Sequence, residues 1–135
     1  MRTRLRGGLT SPPHMSNPLA RSFQNAFSGI YYVLRTQRNA RIHLVITTAV
    51  GLLGTWLGLG ISQWVPLVLA AGLVWTAEIV NTAVETVVDL SSPQERSLAG
   101  TAKDVSAGAV LLSAAAAALV GILILGPPLL ARLLS

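Results

Sequence analysis

Residues 65–90 read VPLVLAAGLVWTAEIVNTAVETVVDL, an apolar run long enough to cross a hydrocarbon core of ~30 Å, yet carrying Glu78, Asn81, Glu85 and Asp89 in its second half. On an α-helix Asn81, Thr82, Glu85 and Asp89 follow Glu78 by three, four, seven and eleven positions. At ~100° per residue all five fall within an arc of about 100° and share one face. Glu78 and Glu85 are then roughly 10 Å apart along the axis, with Glu78 deep in the run and Asp89 at its boundary. An ionised carboxylate at membrane depth costs on the order of 2.5 to 3.5 kcal/mol on insertion scales, so this stripe calls for a cation, a proton or a cavity. The run supplies no cation itself. Lys103 and Arg96 beyond it, Arg35, Arg38 and Arg41 well before it, and a divalent ion are the candidates. Magnesium suits such a site, because it takes oxygen ligands, commonly one or two carboxylates completed by phosphate and water. The gradient of depth divides the roles. The inner Glu78 is placed to take a proton from a hydroxyl at headgroup level, Glu85 to hold metal and nucleotide phosphates, and Lys103 to supply charge to those phosphates.

Working outward, a first spanning run covers about 42–59, the acidic run is the second at 65–90, and a third covers 105–125. Gly51, Gly54 and Gly58 line one face of the first, a pattern that lets another helix backbone approach. Gly60 to Gln63 form a tight turn bracketed by Trp56 and Trp64 as an aromatic belt. The segment SSPQERSLAGTAKD, 91–104, reads as a polar loop, with Asp104 and Ser106 as caps of the third span. That span is rich in small residues, with Ala109 and Ser113, Ala114 and Ala118, and Ala117 and Gly121 each four apart, and it is expected to end at Gly126, Pro127 and Pro128. Residues 21–38 place Phe23, Phe27, Ile30, Tyr31 and Leu34 at helical spacings with arginines at the ends, an amphipathic helix that lies on the membrane surface. Residues 1–18, with three arginines and three prolines, read as a disordered basic tail. The tail lacks the apolar centre of a secretory signal, an organelle leader is a minor alternative, and Met15 is an alternative start.

Composition supports this layout. Of 135 residues 52% are apolar and 11% charged, where a soluble domain has roughly a quarter charged, so a soluble enzyme is excluded. The absence of cysteine excludes thiol chemistry and thiolate metal sites. The net charge of +5 does not indicate nucleic acid, since the basic residues cluster at the ends of apolar segments. They act as topology signals. Arg2, Arg4, Arg6, Arg21, Arg35, Arg38, Arg41, Arg96 and Lys103 lie on one side and only Arg132 on the other, which puts the N-terminus and the 91–104 loop in the cytoplasm of a multi-pass protein of the cell inner membrane. The fold class is all-α integral membrane, with three transmembrane helices plus an N-terminal amphipathic surface helix. Three spans with a polar face do not enclose a site alone, so an oligomer is expected. Each polar residue also has a structural reading: the carboxylates as registry pairs, Asn81 as interhelical packing, His43 as an interfacial side chain, Trp75 as packing, Glu95 as a solvated charge.

EIVNTAVETVVD at 78–89 resembles the signature of the prokaryotic diacylglycerol kinase family, small membrane lipid kinases whose Gram-positive members phosphorylate undecaprenol. Supporting segments are SFxxAFxGI from Ser22 to Ile30, then Arg38, Asn39, Arg41, Ile42 and His43, and Ala102, Lys103 and Asp104 followed by AGAVLL at 107–112. The resemblance covers about 22–125 and makes 19–130 a lipid kinase domain. It implies a homotrimer with active sites shared between protomers, ATP and Mg2+ arriving from the cytoplasm, and lipid from the bilayer. Glu78 would be the general base, Asn81 a site-orienting amide, and Glu85 a metal ligand. Lys103, Asp104, Glu85 and Arg96 would contact nucleotide, and Arg41 and Ala107 would join Glu78 at the lipid. One position departs: where the family has a second metal-ligating Glu, Gln37 stands in TQRNARIH, and its amide oxygen can coordinate only without charge. The function expected is transfer of the γ-phosphoryl group of ATP to a lipid alcohol, diacylglycerol ahead of undecaprenol. The rivals are a proton-coupled transporter, for which the half from Val65 to Ala77 supplies no charged path, and a structural membrane subunit indifferent to ATP.

Overall fold

The computed structural model of the chain describes residues 17–91 and 96–134, and the elements among them are four helices: α1 (Pro18–Thr36), α2 (Arg38–Leu57), α3 (Ile61–Ser91) and α4 (Arg96–Leu133). The basic tail expected over 1–18 lies outside the described residues through residue 16, as does Glu95. Asn17 caps α1, its side-chain oxygen accepting from the Leu19 N–H at 3.1 Å, and Pro18 fills the first helical position, where no amide donor is needed. Gln37 is extended (φ −97°, ψ 121°) and joins α1 to α2 as a one-residue hinge. Gly58 ends α2 in the left-handed region (φ 71°). Its N–H bonds the Thr55 carbonyl and the Leu59 N–H bonds the Gly54 carbonyl, both at 3.1 Å, the paired bonds of a Schellman cap. Gln63 then reaches back to accept from the Gly60 N–H at 3.1 Å and starts α3.

Three helices are long and apolar enough to cross a membrane: α2, α3 to Leu90, and α4 from Leu98. At 1.5 Å per residue α3 is roughly 46 Å long and α4 roughly 57 Å, so both outrun a hydrocarbon core of ~30 Å. They pack against each other as the main pair, α2 lies against both, and α1 touches α2 and α3. One end of the bundle holds the α2–α3 turn and the end of α4, where the Arg132 guanidinium sits 5.0 Å from the centre of the Trp56 ring. The acidic stripe and Lys103 share the opposite end with the α1–α2 hinge.

Three expectations need correction. The segment 91–104 is helical from Arg96, so Asp104 lies inside α4 and caps nothing. The third helix does not stop at Gly126 but runs through Pro127 and Pro128 to Leu133. Hydropathy marks where a helix is apolar, whereas helix ends follow backbone hydrogen bonds. Leu98, Ala99, Ala102 and Lys103 are good helix formers, and prolines remove amide donors whose loss a long packed helix absorbs. Within the chain, the glycine face of α2 receives another helix only at Gly54. Gly51 has nothing within 4 Å, Gly58 serves as the cap, and only Gly54 is closely approached, by the Trp64 ring, whose Cη2 would lie 2.9 Å from a Cβ.

Candidate functional site

The stripe faces inward at its deep end. Glu78 is 1% exposed, and Asn81 and Thr82 are buried with it, whereas Glu85 is half-buried and Asp89 exposed. The burial gradient inferred from helix position is therefore present in the fold. The Thr82 hydroxyl donates to the Glu78 carbonyl at 2.9 Å, so its polarity is absorbed within α3.

The start of α2 explains how a buried carboxylate is tolerated. A helix N-terminus presents amide N–H groups without intrahelical partners and a partial positive charge, and α2 has no acidic residue in its first turn and no side-chain cap. Glu78 of α3 supplies an acceptor there: the backbone N–H of Ala40, itself 0% exposed, faces its carboxyl group, and His43 and Glu85 line the same cavity. Among the described residues the Glu78 Oε2 is the buried side-chain polar atom left without a hydrogen bond.

Glu85 is held on both oxygens. Asn81 Nδ2 donates to its Oε1 at 2.9 Å, and Gln37 Nε2 donates to its Oε2 at 3.4 Å. Gln37 leaves its own helix uncapped because its amide is turned to α3. The Ser106 hydroxyl of α4 lies 2.7 Å from Asn81 Oδ1. One layer above, Lys103 pairs with Asp89. Glu78, Asn81 and Glu85 line a cavity of about 300 Å³ together with Asn39, His43 and Ala107. An apolar cavity of about 470 Å³ continues between α2, α3 and α4 past Thr47, Val74, Ala117 and Gly121, and His43 and Ala114 belong to the walls of both. Polar chemistry and apolar volume thus meet beside Glu78.

Among the described residues no three His, Asp or Glu side chains come together. Glu85 is the carboxylate that would hold magnesium, an ion that uses few protein ligands and leaves the rest to phosphate and water, while Asn81 and Gln37 turn their amide nitrogens, not their oxygens, to it. The structure brings together Gln37, Glu78, Asn81, Glu85 and Ala107 from the expected set. Arg41 and Asp104 are exposed and are not among the cavity residues, Lys103 stands above it on Asp89, and Arg96 opens α4 with a side chain outside the described residues. Trp75 donates to Thr47 Oγ1 at 3.3 Å, in keeping with a packing role. Sequence reasoning missed Ser106, read as a cap, and the Ala40 amide. It also placed His43 at the membrane interface, whereas His43 lines both cavities. The signal for Ser106 was available, since it lies three positions after Lys103 on a continuous helix.

A four-helix chain with three spanning helices and a carboxylate–amide cluster at one end defines an integral membrane protein with a polar site opening on an apolar groove. The model of the prokaryotic diacylglycerol kinase family matches residues 24–125, and the chain belongs to this family, a class of membrane lipid kinases. It is 46% identical over 110 residues to the diacylglycerol kinase of Synechocystis sp., a match covering 81% of this chain and 63% of that protein. It is 37% identical over 113 residues to the undecaprenol kinase of Bacillus subtilis, covering 84% of this chain and 92% of that one.

Proposed function

We propose that the chain transfers the γ-phosphoryl group of ATP to the hydroxyl of a membrane lipid alcohol, converting diacylglycerol to phosphatidic acid. The observation that carries this reading is Glu78. It is a carboxylate 1% exposed, with one oxygen lacking a hydrogen bond, at the junction of a polar cavity and an apolar one. Such a group is suited to accept a proton from an alcohol whose chains occupy the apolar side. The lipid oxygen bonds to the γ-phosphorus, the bond from that phosphorus to the bridging oxygen breaks, and ADP leaves with those electrons while Glu78 holds the alcohol proton. Asn81 and Gln37 fix Glu85, which would hold Mg2+, an ion that neutralises phosphate charge when bound. Lys103 and Asp104 serve the nucleotide. The excess of Arg and Lys at this end supports a cytoplasmic N-terminus in the inner membrane, with α1 on the interface and the chains assembled as a trimer. Identity to the Synechocystis diacylglycerol kinase supports diacylglycerol as the acceptor.

The test is purified protein in bilayers given ATP, Mg2+ and diacylglycerol or undecaprenol side by side. Phosphorylated diacylglycerol is expected, phosphorylated undecaprenol alone would move the acceptor, and no product from any lipid alcohol would falsify the reading. Glu78→Gln is expected to abolish turnover and leave nucleotide-dependent thermal stabilisation intact. Wild-type turnover in that variant would remove Glu78 as the base.

A further inference from the structure

We propose that Ser106 is a positioning residue for Glu85, acting through Asn81; this rests on the lipid kinase reading. Asn81 is 8% exposed and its carboxamide has two chemically different ends, so its orientation decides whether Glu85 meets a donor or a second acceptor. The orientation is set from α4. Ser106 Oγ lies 2.7 Å from Asn81 Oδ1, which turns Nδ2 toward Glu85 Oε1 at 2.9 Å. Ser106 Oγ also lies 2.9 Å from the Lys103 carbonyl oxygen, but that carbonyl belongs to the continuous α4 helix and has the backbone N–H of the next turn as a donor. Asn81 Oδ1 is buried and Ser106 is the donor it meets, so the hydroxyl is worth more there. With the amide flipped, the Asn81 oxygen would face a Glu85 carboxylate oxygen, a repulsive contact.

The consequence is a relay between two helices, Ser106 of α4 to Asn81 and Glu85 of α3, with Gln37 of the α1–α2 hinge closing on the other carboxylate oxygen at 3.4 Å. Glu85 is then presented in one orientation before magnesium and nucleotide arrive, and the cost of ordering it on binding falls. Ser106 itself is not among the residues lining the cavity, so it acts without touching substrate.

The experiment measures Mg2+-dependent nucleotide affinity, by thermal stabilisation against ATP with and without Mg2+, on the full chain in micelles. Ser106→Ala is expected to weaken that affinity about fivefold, the worth of one neutral hydrogen bond, with the unfolding midpoint in the absence of nucleotide little changed. Ser106→Thr, which keeps the hydroxyl, is expected to restore it. In an Asn81→Ala background the Ser106→Ala change should have no further effect, since the relay is already cut. Unchanged affinity in Ser106→Ala, or additive losses in the double variant, would overturn the positioning role while wild-type lipid phosphorylation leaves the kinase reading standing. A wild-type protein that neither binds nucleotide nor phosphorylates lipid would overturn both. If Ser106→Ala does not fold, the Asn81 side-chain amide resonances of Ser106→Thr and Ser106→Gly decide: matching the wild type in Thr and shifting in Gly supports the relay, and matching in both overturns it.

Discussion

Glu78 illustrates the conflict a single residue can embody. Its carboxylate sits among buried neighbours with one oxygen lacking a hydrogen bond, and the first turns of α2, with the Ala40 N–H and His43, offer it favourable charge. Burying a charged group that is not fully hydrogen-bonded opposes folding, so under the proposed mechanism this position would serve chemistry at the expense of stability. Glu78→Gln keeps the shape and the oxygen facing the Ala40 N–H but removes the charge. We expect it to raise the unfolding midpoint in bilayers without nucleotide, by an amount equivalent to about 1–3 kcal/mol, while eliminating turnover. A variant that is inactive and also less stable would show that Glu78 is needed for packing.

At the scale of elements, the ends of the helices decide what the site contains. α4 is helical across the stretch that hydropathy marks as a loop, and this continuity puts Lys103 and Ser106 on one rigid element at a spacing that lets Lys103 reach Asp89 while Ser106 reaches Asn81. A loop would leave that spacing free. α1 presents a different question. Phe23, Phe27 and Tyr31 are 58%, 68% and 60% exposed in the chain, a row of aromatics that water would not favour. Lying in the interface would cover them. A nitroxide at position 27 is therefore expected to be relaxed by oxygen dissolved in the acyl chains and one at Asn25, about 160° away on the helix, by a water-soluble nickel chelate. Equal responses at the two sites would place α1 away from the membrane.

For the whole molecule, the distribution of exposure is that of a protein meant to be surrounded by oil or by copies of itself. Few apolar residues are buried, among them Val33, Leu67, Val74, Val110 and Leu125, whereas Leu52, Leu69, Leu111 and Ile122 face outward. The cavity beside Glu78 is not lined by Lys103 or Asp104. If these residues have the proposed roles, the nucleotide groups and the base would meet only in a site shared between chains, as proposed. Mixed assembly of Glu78→Gln chains with Lys103→Ala chains, each inactive alone, is expected to recover a measurable fraction of wild-type turnover. Mixtures as inactive as their parts would confine the site to a single chain.

The acidic stripe, its common face, the three apolar spans and the family could all be read directly from the residues, because helical periodicity and hydropathy are local properties of a sequence. The stripe's partners could not. Gln37 lies 48 positions from Glu85, and Ser106 25 from Asn81, so their meeting depends on how α2 and α4 dock onto α3. Backbone hydrogen bonding likewise fixed where the helices stop, at a Schellman glycine in α2 and beyond two prolines in α4, which apolar length does not encode. The sequence by itself determined which side chains carry oxygen into the membrane. Only the packing decided which of them stay hidden from water and which donors they meet, since desolvation and hydrogen bonding between helices are properties of the assembled bundle.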